Sequence, residues 1–203
     1  MYSLLRMVLS VIFSLVFRWK VSGVENIPAG GVIIAANHIS LWDPPLVGAA
    51  IPRRIHYMAK EELFAHPLFS WIITKLGAFP VKRGSADRTA IRTALTLLEN
   101  GSVLGIFPEG TRSKDGKLGA PEPGLALLAR KAGVPVVPAA IIGTNLVFKK
   151  GHWLPRFQVI FGKPLHFSRD DSAKESLEGL SIRVMTEIGR LLSEANHPAD
   201  RQG

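Results

Sequence analysis

Apolar positions along the chain fall into two patterns, short continuous runs and stripes at helical spacing. Continuous runs occupy Val32–Ala36, 55–58, 103–107, 134–142 and Gln158–Phe161. Turn formers bound them: Pro28-Ala-Gly-Gly31, Asn100-Gly101, and Gly162 with Pro164. Such runs predict buried strands. The two prolines inside 134–142 predict irregular pairing there. Between the runs, Ile91, Leu95 and Leu98 mark a helix over 87–99, stopped by Gly101. Leu125, Leu127 and Leu128 mark a second over 124–131, stopped by Gly133. Leu177, Leu180, Val184, Ile188, Leu191 and Leu192 lie along one side of a third, over 172–195. Alternating buried strands and helices predict an α/β domain, with a mostly parallel central sheet flanked by helices. Chemistry in such a sheet gathers just past the carboxyl ends of the strands.

The first apolar stretch, 4–17, is followed by Arg18-Trp19-Lys20. As a helix its length is about 21 Å, short of the ~30 Å bilayer core, and Arg6 interrupts it. No small-residue cleavage site follows, which argues against a signal peptide. The expectation is an uncleaved helix in the membrane interface, with Trp19 at headgroup level and Arg18 and Lys20 toward anionic lipid. An ordinary core helix is the competing reading. If the segment spans, its basic flank places the rest of the chain in the cytoplasm. The domain division is therefore 1–20, a membrane-associated helix, and 21–203, the main domain.

A chain of 203 residues buries about 70% of its extended surface, enough for a core without staples. It has 47% hydrophobic and 20% charged residues, which excludes an intrinsically disordered chain. There is no cysteine, which removes disulfides, thiol nucleophiles and Cys-based metal sites. The formal charge is +9, from 25 Lys+Arg against 16 Asp+Glu. The basic residues are scattered in pairs, and aromatics are 8%. That pattern favours a membrane surface or small anionic ligands over nucleic acid.

Two segments at predicted strand ends mix titratable groups with turn formers. Asn37-His-Ile-Ser-Leu-Trp-Asp43-Pro-Pro follows the first strand, and residues 107–113, Phe-Pro-Glu-Gly-Thr-Arg-Ser, follow the third. His38 can take a proton near neutral pH, and Asp43 can fix its tautomer. Five residues exceed one helical turn, so a strand-to-helix turn has to bring the two together; a purely structural pair is the competing reading. In the second segment Gly110 permits close backbone approach, Thr111 is a donor, and Arg112 can hold a phosphate bidentately. Glu109 can orient Arg112 or bind a hydroxyl; a local Glu–Arg ion pair is the alternative. Residues 77–84, with Lys82 and Arg83 beside Gly84, suit a phosphate or form a solvated basic loop. The sequence contains no G-x-S-x-G, P-loop, G-x-G-x-x-G or H-E-x-x-H motif. Its six histidines have no metal-ligand spacing, and His56 and His66 read as structural or surface residues.

These segments carry a family resemblance. Asn37 to Pro44 resembles the N-H-x-x-x-x-D motif of the glycerolipid acyltransferases, specifically the 1-acylglycerol-3-phosphate O-acyltransferases. Residues 77–83 resemble their second motif, 107–113 match the third, and 134–138 with Gly143-Thr144 resemble the fourth. The four occur in order over roughly residues 22–165. There are departures. Pro121-Glu-Pro-Gly124 replaces the family's usual aromatic–Lys–Gly segment, and Pro80 and Lys82 stand where apolar and acidic residues are common. Both changes bear on the acyl or headgroup pocket.

The resemblance implies transfer of an acyl chain from a thioester to the 2-hydroxyl of lysophosphatidic acid. It assigns His38 as general base and Asp43 as its orienting partner. Arg112 and Arg83 clamp the phosphate, with Lys82 adding charge, and Glu109, Gly110 and Thr111 shape the glycerol site. No metal or bound cofactor is implied; coenzyme A or acyl carrier protein brings the acyl group as co-substrate. With no cysteine and no serine elbow, direct attack is favoured over a covalent acyl-enzyme. The expected location is the cytoplasmic face of the cell membrane, in contact with the lipid surface, with no nucleic-acid partner. The alternatives are another acceptor, such as glycerol 3-phosphate or a different lysophospholipid, or a non-catalytic lipid-phosphate binder.

Overall fold

The computed structural model describes residues 2–82, 87–149, 154–167 and 176–196. Seven strands form one sheet: β1 (Lys20–Ser22), β2 (Val32–Ala36), β3 (Ile55–Lys60), β4 (Ala78–Val81), β5 (Val103–Ile106), β6 (Val136–Ile142) and β7 (Gln158–Phe161). Their spatial order is β1-β7-β6-β2-β5-β3-β4. Every neighbouring pair is parallel except β6 with β7. The mostly parallel α/β sheet is thus as the apolar runs predict, and β2, bearing the first motif, lies in its middle.

Side chains alternate across the sheet. On one face Val32, Ile34, Ala36, Val103, Val137 and Ile141 pack with Phe13 and Phe17 of α1 (Tyr2–Phe17) and Leu46 and Val47 of α2 (Asp43–Ala50). On the other, Ile33, Ala35, Leu104 and Val136 meet α4 (Arg88–Glu99), α5 (Gly124–Ala132) and α6 (Leu177–Asn196). A further helix, α3 (Pro67–Lys75), lies between β3 and β4 in the chain. The first residues of the helix expected over 172–195 lie outside the described residues.

β6 shows the irregular pairing its prolines predict. Val136 exchanges both backbone bonds with Leu165, while the β7 ladder begins only at Ala139. Pro138, which has no N–H to give, sits between, and its carbonyl accepts from Gly162 at 2.8 Å.

On its inner face the N-terminal helix is the core helix of the competing reading. Phe13 and Phe17 are buried in the core, each worth about 1.5–3 kcal/mol. The opposite face leaves Leu4, Met7, Val11 and Leu15 exposed. Among the described residues no helix is long and apolar enough to cross a membrane. Trp19 turns back on its own helix: its ring packs 5.6 Å from Phe13 and its indole N–H donates to Ser14 Oγ at 2.8 Å.

Candidate active site

The end of β2 and the start of α2 bring His38 and Asp43 together. After Ala36 the chain leaves the sheet, turns, and enters α2 at Asp43, with Pro44 and Pro45 in the first turn, where no N–H is missed. Asp43 is fully buried. Its Oδ2 accepts from His38 Nδ1 at 2.8 Å and from the backbone N–H groups of Ile39 and Ser40, both at 2.7 Å. Its Oδ1 accepts from Thr144 Oγ1 at 2.6 Å. A carboxylate that holds Nδ1 leaves Nε2 as the ring nitrogen for chemistry, and His38 Nε2 has no protein partner among the described residues. The imidazole stacks on Phe107, 4.1 Å away, and Phe107 in turn stacks on Tyr57. Burial pushes the Tyr57 phenol well above its ordinary range, so it stays a neutral donor to the Pro44 carbonyl at 2.8 Å. Asn37 fastens the same strand end to β6, donating to the Ile141 carbonyl at 2.9 Å and accepting from its N–H at 2.7 Å.

Two cavities lie against residues 38–45. One, of about 280 Å³, is polar and lined by Ser40, Trp42, Arg112, Lys114, Asn145 and Lys149 among others. The other, of about 320 Å³, is mostly apolar and lies among Leu5 and Leu9 of α1, Gly48 of α2, Tyr57, and Phe69 and Ile72 of α3. His38, Leu41 and Pro44 face the apolar cavity, whereas Ile39, Ser40 and Trp42 face the polar one. A single turn thus forms the shared wall.

The remaining expected site residues separate. Arg112 is exposed at the polar cavity. Gly110 has φ +67, and a Cβ there would meet Glu122 Cγ at 3.0 Å, so glycine holds the turn that presents Arg112. Thr111 is exposed. Glu109 is almost fully buried; Oε1 accepts from the His38 N–H at 2.9 Å and Oε2 from the Gly119 N–H at 3.0 Å. It therefore braces the loop against the histidine's backbone, and among the described residues it makes no ion pair with Arg112. Lys82 lines neither cavity; it stands exposed beyond β4, with Nζ 3.9 Å from Glu61. Arg83 lies outside the described residues. The sequence alone points to no role for Thr144, although it stands in the fourth motif, nor for Phe107, Tyr57, Lys114 or Lys149.

Such a site can take a proton from a hydroxyl held beside His38 Nε2, and its paired cavities suit a molecule with a charged head and an apolar tail. The Acyltransferase family model matches residues 18–142, and the chain belongs to that family. It is 40% identical over 172 residues to the 1-acyl-sn-glycerol-3-phosphate acyltransferase of Bacillus subtilis, covering 82% of this chain and 83% of that protein. It is 38% identical over 129 residues to a lyso-ornithine lipid O-acyltransferase of Pseudomonas aeruginosa, covering 63% of this chain and 48% of that one. The crystal structure of the 1-acyl-sn-glycerophosphate acyltransferase PlsC from Thermotoga maritima superimposes with a TM-score of 0.78 at 32% identity, over 96% of this chain and 79% of the other.

Proposed function

We propose that this protein transfers an acyl chain from a thioester to the 2-hydroxyl of 1-acyl-sn-glycerol 3-phosphate, giving phosphatidic acid. The observation that carries the reading is the pairing of a partly exposed His38 with a buried Asp43 on the wall between a cationic and an apolar cavity. The acceptor's phosphate occupies the polar side at Arg112, and the donor's acyl chain the apolar side. His38 Nε2 takes the hydroxyl proton as the oxygen attacks the thioester carbonyl carbon. The carbon–sulfur bond breaks, and the departing sulfur takes that proton from the imidazolium, leaving an ester and a free thiol. Asp43 keeps the ring oriented and stabilises its cation. A positioned base contributes about 10²–10⁴-fold, and holding both reactants together adds the proximity term. Glu109 and Gly110 keep the loop bearing Thr111 and Arg112 in place; Arg83 joins Arg112 on the phosphate, and Lys82 adds positive charge. The donor is an acyl thioester of coenzyme A or acyl carrier protein, and no resident metal or cofactor takes part.

The protein meets its substrates at a lipid surface. Support comes from exposed Leu4 and Leu15 on α1, Leu41 beside the site, and Leu68 and Trp71 on α3. α1 and α3 also line the apolar cavity, so a chain enters it from the same side. Lys20 stands exposed past α1, and the net charge of +9 suits the anionic cytoplasmic leaflet.

The test is thioester consumption by wild type and His38→Ala, given 1-acylglycerol 3-phosphate and either donor. Release that needs both the acceptor and His38 is expected, with the variant lower by at least about 10²-fold. Turnover that survives His38→Ala removes the base assignment. Turnover only with glycerol 3-phosphate or another lysophospholipid reassigns the acceptor, and binding without release makes the protein a lipid-phosphate binder.

A further inference from the structure

Asp43 is gripped unevenly. All three donors to its Oδ2 come from residues 38–40, a few positions along the same turn. They tie the carboxylate to the turn but leave the turn's place over the sheet unfixed. Its Oδ1 is held from elsewhere, by the hydroxyl of Thr144, 101 residues further along the chain. The separation of 2.6 Å lies in the range of charge-assisted O–H···O⁻ bonds. Thr144 is itself buried, 1% exposed, at the turn that follows β6. Gly143, just before it, has φ +88, and a Cβ there would stand 2.2 Å from the Arg156 carbonyl oxygen. The backbone carrying Thr144 is thus pressed against the strand approach to β7 and has little freedom to follow a moving partner. The Asn37–Ile141 pair holds the other end of the motif to the same strand.

We infer that Thr144 is a positioning residue for the reaction. Its hydroxyl fixes the plane of the Asp43 carboxylate, so that Oδ2 stays aligned with His38 Nδ1 and Nε2 stays aimed at the hydroxyl to be acylated. Without the hydroxyl, Oδ1 is a buried acceptor with no donor, and the carboxylate can rotate about Cβ–Cγ. His38 then loses the alignment on which proton transfer depends. This role rests on the acyl-transfer reading above. It differs from mere satisfaction of a buried oxygen, which would affect folding but not the turnover of folded enzyme.

The experiment compares Thr144→Ser with Thr144→Ala in the full chain, because both lose the methyl group and only serine keeps the hydroxyl. With 1-acylglycerol 3-phosphate and the working thioester, serine is expected to hold kcat within about threefold, while alanine lowers it about 10–100-fold with both KM values within about twofold. In an Asp43→Ala background, alanine at 144 is expected to cost nothing more, because no carboxylate remains to be aimed. If Thr144→Ala does not fold in a thermal melt, Thr144→Val, similar in shape and without the hydroxyl, carries the same expectation. Equal kcat for the serine and alanine variants overturns the inference, and so does an undiminished loss in the Asp43→Ala background. A wild type inactive with every donor and acceptor overturns the acyl-transfer reading and this role with it; an active wild type with indifferent Thr144 variants overturns only the role of Thr144.

Discussion

The polar side of residues 38–45 is built from loops, those after β5 and β6, and the apolar side is built from helices, α1, α2 and α3. The loop side presents exposed cations that contribute little to the core. The helix side is continuous with the core: Phe13 and Phe17 of α1 and Leu46 of α2 are buried within it. Substituting one of those exposed cations should therefore change binding with little change in stability, whereas the helix side couples ligand shape to packing. One turn can serve both because His38, Leu41 and Pro44 face one side and Ile39, Ser40 and Trp42 the other.

The largest effect that sharpens this contrast is expected at Arg112. Arg112→Ala should raise KM for the phosphate-bearing acceptor about 10–100-fold, the range for a charge-assisted pair, with kcat and melting temperature nearly unchanged. Lys82→Ala, outside both cavities, should raise it far less; equal effects in steady-state kinetics would erase the boundary between the cavity and the basic edge beyond it. Next comes Gly48, which faces the apolar cavity from α2. A Cβ there lies 3.4 Å from Ile55 Cγ2 and 3.6 Å from the Tyr2 hydroxyl, ordinary contact distances, so a side chain fits only by taking cavity space. Gly48→Leu should shift the kcat/KM ratio of long to short donors about tenfold toward short ones, with KM for the acceptor unchanged. A parallel loss for every chain length would mean that the helix side does not measure the chain.

A smaller effect is expected on the outer face of α1. Leu4→Ser with Leu15→Ser spares Phe13 and Phe17, and should weaken flotation with anionic vesicles several-fold, about what two interfacial leucines supply. Undiminished flotation would leave the exposed apolar face without a lipid role. The smallest concerns His56 on β3. Burial, and then the charge of Arg54, lower its pKa below the ordinary value of about 6.5. A group whose folded pKa is depressed favours the folded state above its unfolded pKa, and that contribution fades as pH falls through the folded pKa. Chemical denaturation should therefore show stability declining below about pH 6.5, and His56→Asn should flatten that decline.

Sheet and site differed in how legible they were. The five strands read from apolar runs are central or well paired, so their burial is written in their own residues. β1 and β4 are edge strands that the pattern does not declare: β1 has one apolar residue of three, and the apolar run of β4 is short and broken by Pro80. Lys-Val-Ser is strand only because β7 offers a ladder, and Ala-Phe-Pro-Val because β3 does. α2 and α3 have eight and nine residues, too short for a stripe to declare itself. Within the site, His38 and Asp43 were readable because both lie in one turn. Glu109 looked like a substrate ligand because its partners, the amides of His38 and Gly119, are backbone groups that no side-chain pattern reveals. The role of Thr144 is not legible in the sequence, because its partner Asp43 is 101 positions away.

The parallel β1–β7 pair also has a consequence for how the protein is made. Among the described residues β1 lies at the sheet's edge and pairs only with β7, so the ladder of Lys20–Ser22 waits until Gln158–Phe161 have been synthesised. Chains fold as they emerge, amino end first. The helix whose outer face is bare and apolar thus leaves the ribosome early, and waits through some 135 residues of synthesis, at ~5–20 residues per second, for the strand that pins its end. During those seconds the inner face of the helix can already meet β2 and α2, which follow it closely in the chain, while its outer face stays bare.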